Sequence, residues 1–234
     1  METKLKNLCK KIDVELDDDQ TKQFLLYKKE LIEWNEKINL TAITDEDEII
    51  LKHFVDSLTI VKYINDGDRL IDVGTGAGFP GIPLKIVKPN TEVILLDSLN
   101  KRLLFLEDII KKNSLQNISC IHGRAENVSR ETFYRESFDV ATARAVANMS
   151  TLVELCLPFV KVGGIFVCMK GNNIDELNDA KNAIKILGGE VEKVDNLFLP
   201  DSDIERNIII IRKIKSTPKE YPRKAGTPAK TPLK

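Results

Sequence analysis

Histidine is scarce in this chain. Only His53 and His122 occur in 234 residues. Two imidazoles are too few for a histidine-based metal centre. Cysteine is sparse too: Cys9, Cys120, Cys156 and Cys168 are scattered, with no CxxC spacing. They read as reduced core thiols of a cytoplasmic protein, with no metal and no disulfide framework. No apolar run approaches the roughly 20 residues of a membrane span, and Met1-Glu2-Thr3-Lys4 lacks the apolar core of a signal peptide. Neither a membrane partner nor a metal is expected. The content, 42% hydrophobic and 30% charged, suits one medium globular domain with extensions.

The formal charge of −1 hides an asymmetry. Residues 212–234 hold eight Lys or Arg against one Glu, and four of the nine prolines. Such an end cannot build its own core. Charge leaves two readings open, a solvated terminus or a contact with a polyanion.

Three regions follow from the patterning. Residues 1–66 read as a helical extension. Phe24, Leu25, Tyr27, Leu31, Ile32, Trp34 and Ile38 recur at helical spacing. Asn39-Leu40-Thr41 breaks that helix, and a second runs from Glu46 to Val61. Residues 67–213 alternate between strands at 69–73, 92–96, 118–122, 138–142, 164–169, 191–199 and 207–213 and helices at 80–88, 99–112, 148–159 and 173–187. Alternation of this kind makes a parallel α/β sheet. Only Pro200-Asp201-Ser202-Asp203 joins the last two strands, so they form an antiparallel hairpin. A seven-stranded, mostly parallel sheet ending in such a hairpin is the Rossmann-like arrangement of class I methyltransferases. Residues 214–234 form the basic, proline-rich tail.

The most informative segment is Leu70-Ile71-Asp72-Val73-Gly74-Thr75-Gly76-Ala77-Gly78-Phe79-Pro80-Gly81. A buried strand ends in an acid and runs into alternating glycines, where backbone approaches a ligand closely. A helix N-terminus follows, which completes a nucleotide-type pocket. Gly76-x-Gly78-x-x-Gly81 fits a dinucleotide frame, whereas Asp72-x-Gly74-x-Gly76-x-Gly78 fits the loop of S-adenosylmethionine (SAM) enzymes. Asp72 favours the second: it can meet an ammonium or order the loop, whereas a pyrophosphate would be repelled there. Asp97, at the tip of the second strand, can accept both ribose hydroxyls or cap the next helix.

Later strand ends supply further candidates. Gly123-Arg124-Ala125-Glu126 faces the adenine side: small Ala125 admits the base, and Glu126 holds a polar neighbour or caps a turn. Arg144 can bind the carboxylate of the cofactor or an RNA phosphate. Lys170 ends the fifth strand, where it meets RNA phosphate or solvent. His53 reads as a helix histidine bonded to Asp56 or Ser57, and His122 as structural. The Asn/Asp-Pro-Pro-aromatic tetrapeptide of amine methylation is missing, as is the Pro-Cys step of cytosine carbon methylation. A purine N7 needs neither, and no general base is assigned. Catalysis there is positioning.

Several motifs occur together: Asn39-Leu40-Thr41, His53-x-x-Asp56-Ser57-Leu58, Asp72 to Leu84, Lys101-Arg102-x-x-Phe105-Leu106, Gly123 to Glu126, Ala143-Arg144-Ala145-Val146, Lys170-Gly171, and Tyr221-Pro222-Arg223-Lys224-Ala225-Gly226-Thr227-Pro228. Over most of its length the chain resembles the glucose-inhibited division protein B family, bacterial 16S ribosomal RNA guanine-N7 methyltransferases. The resemblance implies SAM contacts at Gly74, Phe79, Ala125, Glu126 and Arg144. It implies S-adenosylhomocysteine as product and 16S ribosomal RNA or the small ribosomal subunit as partner. It also makes the tail an ordered return to the body, with Arg223 and Lys224 on RNA. Two alternatives stand beside it: a non-catalytic RNA-binding assembly factor that retains the fold, and an NAD oxidoreductase using Gly76, Gly78 and Gly81.

Overall fold

The structure, a computed structural model, describes residues 1–144, 147–172 and 175–233. Ala145 and Val146 of the Arg144 motif, and residues 173–174 of the last predicted helix, lie outside the described residues.

Seven strands form one sheet: β1 (Arg69–Val73), β2 (Glu92–Asp97), β3 (Ile118–His122), β4 (Phe138–Arg144), β5 (Val160–Lys170), β6 (Gly189–Phe198) and β7 (Glu205–Lys213). Their spatial order is β3-β2-β1-β4-β5-β7-β6. The first five are parallel, and β7 lies antiparallel between β5 and β6. The expected arrangement is therefore present. The turn before β7 is too short for a crossover: Leu199 N–H donates to Ile204 O at 2.9 Å. Strand β5 starts earlier than predicted because Gly163-Gly164 is a bulge inside it. Gly163 has φ +89°, and a Cβ on Gly164 would lie 2.6 Å from Asp139 O. Pairing with β4 accordingly shifts between Phe138 and Val140.

Side chains alternate between two cores, as the pleat requires. Leu70, Val93, Leu95 and Ile208 point to one face, and Ile71, Ile94, Leu96 and Ile209 to the other. The first face is covered by α1 (Glu2–Lys10), α2 (Asp18–Ile38), α3 (Glu46–Ile49), α4 (Asp56–Leu58), α5 (Gly81–Val87) and α6 (Asn100–Lys112). Thus Leu5, Phe24, Tyr27 and Leu31 share one core with the sheet. Residues from 1–66 thus contribute to the core on that face of the sheet. The other face carries α7 (Ala125–Val128), α8 (Met149–Cys156) and α9 (Asp175–Ile186).

Helix α2 starts on a capping box, with Asp17 and Gln20 bonded reciprocally, and ends at Asn39 in the left-handed region (φ 44°). The single helix expected from Glu46 to Val61 is present as a continuous helical run from Glu46 to Leu58, with wide π-type turns over Ile50–Val55 between α3 and α4. Ile49, Ile50, Phe54, Val55 and Leu58 are all buried. Their four- and five-residue spacing suits i→i+5 turns better than a 3.6-residue period.

The tail is ordered against the body over its described residues, and a short helix α10 (Thr227–Lys230) lies in it. Arg135 donates to Thr217 O and Tyr221 O at 2.9 Å each, and Thr217 N–H donates to Glu136 at 2.6 Å. Tyr221 and Leu233 join the second core. The solvated-terminus reading therefore fails, because residues far away in sequence satisfy the tail backbone. The four cysteines are unpaired. Burial pushes the Cys9 and Cys168 thiols up to about 12, which keeps them protonated at neutral pH.

Candidate functional site

At the carboxyl ends of β1, β2 and β4, where the strand order reverses, lies a cleft of about 420 Å³. Asp72 organises its floor. The carboxylate is fully buried, and Oδ2 accepts from Thr75 Oγ1 at 2.7 Å and Gly81 N–H at 2.9 Å. Of the two roles open to Asp72, ordering the loop is the one observed. Burial pushes its carboxyl up to about 6, and these donors pull it down. Among the described residues its Oδ1 has no hydrogen-bond partner.

The loop after Asp72 crosses towards β2. Gly74 N–H and Thr75 N–H donate to Leu96 O at 2.8 and 3.1 Å, and Gly76 N–H donates to Asp97 Oδ2 at 2.9 Å. Gly76 has φ +63°, and a Cβ there would meet nothing closer than Gly74 O at 4.0 Å. Glycine is needed here for its backbone conformation, and the space above it is open. Gly78 differs: a Cβ would lie 2.6 Å from the Ile82 side chain and 2.7 Å from the Tyr27 hydroxyl. On Gly81 it would lie 2.4 Å from Leu95 and 2.9 Å from Asp72. Two glycines of the dinucleotide frame thus serve packing, and that frame does not describe the cleft.

Asp97 is 3% exposed and joins two loops. Besides Gly76 it accepts Leu99 N–H on Oδ1 at 2.9 Å, with Arg102 at 3.3 Å from Oδ2. Leu99, not Asp97, is the N-cap of α6. A carboxylate offers about four lone-pair directions, so with three donors in place Oδ1 keeps capacity for one hydroxyl donor.

The opposite wall is a stack. The His53 ring lies on Phe79 with centroids 4.4 Å apart and planes 15° apart, and the Arg144 guanidinium sits 4.9 Å from the Phe79 centroid. Arg144 donates to Lys52 O at 3.0 Å, Asp56 Oδ2 at 3.1 Å and His53 Nδ1 at 3.1 Å. Because a guanidinium only donates, Nδ1 is assigned as the acceptor, and Nε2–H then donates to Thr41 Oγ1 at 2.8 Å. Thr41 is placed in turn by Asn35, whose Oδ1 accepts Leu40 N–H at 2.6 Å and Thr41 N–H at 2.9 Å. The other oxygen of Asp56 takes Arg206 Nε at 2.8 Å. His53 is therefore not bonded through its ring to Asp56 or Ser57. Ser57 Oγ donates to the His53 carbonyl at 2.5 Å instead.

Burial, then the Arg144 charge, push the His53 imidazole down to about 3, so it is neutral at pH 7. The unfolded chain binds a proton near 6.5 that the folded chain refuses until about pH 3. Stability associated with His53 is thus complete above 6.5 and is lost as pH falls through that window. His53→Asn is expected to flatten the fall in melting temperature between pH 6.5 and 4. Parallel curves for variant and wild type would contradict this.

Not all predicted residues meet here. Gly74, Gly76, Phe79, Asp97 and Arg144 line the cleft together. Gly78 faces Tyr27 and Ile82. Ala125 starts α7 on the neighbouring loop, and Glu126 accepts Gly226 N–H from the tail at 2.8 Å, the polar-neighbour role. Lys170 bonds Ala147 O at 2.7 Å and Glu176 at 2.8 Å, so its ammonium is engaged within the protein. Arg223 turns inward onto Glu154, and Lys224 is exposed. Sequence reasoning gave no site role to Thr41, Asp56 or Arg206. The one-turn spacing of His53 and Asp56 was a usable signal, whereas Arg206 carried none.

The residues present fit SAM: a glycine cradle at positive φ, an acid with spare acceptor capacity, and an aromatic wall bearing a cation. The family described as "rRNA small subunit methyltransferase G" matches residues 20–209. The chain is 51% identical over 239 residues to "Ribosomal RNA small subunit methyltransferase G" of Alkaliphilus metalliredigens, covering 100% of both. It is 55% identical over 221 residues to the protein of that name in Acetivibrio thermocellus, covering 94% of this chain and 91% of the other. Among solved structures it resembles a SAM-dependent methyltransferase from Aquifex aeolicus, with TM-score 0.55, 16% identity, and 74% and 96% of the chains covered.

Proposed function

The chain belongs to the rRNA small subunit methyltransferase G family and is a SAM-dependent ribosomal RNA methyltransferase; we propose that its acceptor is N7 of one guanine in 16S ribosomal RNA, met as RNA or within the small ribosomal subunit in the cytoplasm. The observation that supports this reading is the single cleft in which the Gly74–Gly76 backbone, Asp97, Phe79 and Arg144 converge. SAM would supply a methyl group on a cationic sulfur. Asp97 would receive a ribose hydroxyl, Gly74 and Gly76 would let the amino-acid end approach, and Ala125 would border the adenine. Arg144, over Phe79, would hold a carboxylate or phosphate.

A guanine N7 lone pair lies in the ring plane and carries no proton, so direct attack needs no base. That agrees with the wall opposite Asp97. The His53 ring is neutral, and its ring nitrogens are engaged by Arg144 and Thr41. What the protein contributes is orientation and exclusion of water. The test is incubation with methyl-labelled SAM and unmethylated small-subunit RNA, followed by mass spectrometry of the digest. One labelled 7-methylguanosine is expected. Binding of RNA and SAM without transfer would favour the non-catalytic assembly factor, and label elsewhere on the base would overturn the N7 assignment.

A further inference from the structure

Exposed cations of the described residues differ in what they face. On the side built by residues 1–66 several lysines sit on carboxylates, Lys4 on Asp47, Lys6 on Asp18, Lys22 on Asp19 and Lys52 on Glu48, at 2.6 to 2.9 Å, while the exposed Lys10 and Lys37 have no carboxylate partner among the described residues. The same holds in the groove of about 1100 Å³ between α1, Lys52 and the 200–204 turn, where three of the four lining lysines, Lys4, Lys11 and Lys52, are ion-paired. A paired lysine offers a phosphate little, because the carboxylate must be displaced first.

On the β2–β3–tail rim three unpaired cations occupy adjoining segments. Lys101 at the start of α6, Arg124 before α7, and Lys224 in the tail are exposed. Among the described residues none of the three has a carboxylate partner. They belong to adjacent loops. Asp97 pairs with His122 at the ends of β2 and β3, and His122 Nε2 lies 3.1 Å from Ser98 O, which brings the Lys101 and Arg124 loops side by side. Glu126, two residues after Arg124, holds Gly226 N–H at 2.8 Å, and Thr227 N–H donates to Lys224 O at 2.9 Å. Two acids on these segments are engaged inward: Asp97 on Gly76 and Leu99, and Glu126 on Gly226. Arg130 and Arg135 hold the tail by donating to its carbonyls from Thr217 to Pro222.

From this clustering of unpaired cations on adjoining, fixed segments we infer that Lys101, Arg124 and Lys224 form one docking strip for the phosphate backbone of the RNA flanking the target base, on the β2–β3–tail rim. The inference rests on the RNA-methyltransferase reading above and adds the side of the cleft from which RNA is held. Unpaired cations on fixed backbone release counterions from phosphates without losing an internal partner. The tail, clamped by Arg130, Arg135 and Glu126, turns Lys224 from a loose charge into part of that strip.

The experiment titrates the intact protein with unmethylated small-subunit RNA at several salt concentrations. Wild type is compared with Lys101→Gln/Arg124→Gln/Lys224→Gln and with Lys4→Gln/Lys6→Gln/Lys22→Gln. SAM affinity and melting temperature report that the variants fold and keep the cleft. The rim variant is expected to bind RNA at least tenfold more weakly at 50 mM salt. Its slope of log affinity against log salt should fall by roughly two to three, one step of 0.7 to 0.9 per phosphate contact. The other triple variant should move neither quantity. Equal losses in both, or an unchanged slope in the rim variant, would overturn the strip while transfer by wild type leaves the enzyme reading standing. Failure of wild type to bind or methylate RNA would overturn both.

Discussion

Arg144→Ala is expected to reduce methyl transfer about a hundredfold, the scale on which a misplaced positioning group acts. That corresponds to about 2.7 kcal/mol of barrier. The guanidinium touches four groups: the Phe79 face, His53 Nδ1, Lys52 O and Asp56 Oδ2. Without it the cleft loses its wall cation. The His53 imidazole should also move upward, since the Arg144 charge helps depress it. Folding suffers less, because Asp56 keeps Arg206 on its other oxygen. The cost there should be about 1–3 kcal/mol, the range for one buried group losing a donor. Single-turnover transfer and thermal melting separate the two effects. Arg144→Lys restores charge without the planar fork and should stay well below wild type. Turnover within twofold of wild type in Arg144→Ala would remove Arg144 from the site.

Arg223→Ala should have the largest effect on stability. Glu154 is fully buried and accepts Arg223 backbone N–H at 2.7 Å, Nε at 2.9 Å and Nη2 at 2.6 Å. The side chain of Arg223 supplies the only ion pair Glu154 has among the described residues. Removing it strands a buried carboxylate, which costs about 3–5 kcal/mol. For a chain of this size that is a fall of roughly 10 °C in melting temperature. Joint replacement, Glu154→Leu with Arg223→Leu, should recover most of the loss, because an apolar pair replaces a desolvated ionic one. A melting temperature within one degree of wild type in Arg223→Ala would contradict the buried-pair account. RNA affinity of the folded fraction should change little, since this guanidinium faces inward. Arg223 was expected on RNA from the motif around it. Its neighbour Lys224 has the exposure that role requires.

The outcomes for these two arginines show where the sequence was readable. Strands such as β1, β2 and β7 were legible because short apolar runs bounded by turn residues act locally. The glycine loop was legible for a related reason. Gly74 and Gly76 occupy positive φ, which glycine adopts at least cost, so the residue type betrays the backbone. Harder to read was the stretch from Glu46 to Leu58, where apolar residues at mixed four- and five-residue spacing looked like an ordinary helix and folded with π-type turns.

What the sequence determined alone is the order of strands and helices, the loop that must approach a ligand, and the identity of the acids at the strand tips. Those depend on dihedral preferences and on burial patterns within a few residues. The tertiary structure decided which charges are free. Arg144 meets Asp56 across 88 residues, Arg223 meets Glu154 across 69, and Glu126 meets Gly226 across 100. A side chain has the same donors in every context, but whether they face a carboxylate or solvent depends on what the fold brings beside it. No local pattern encodes that.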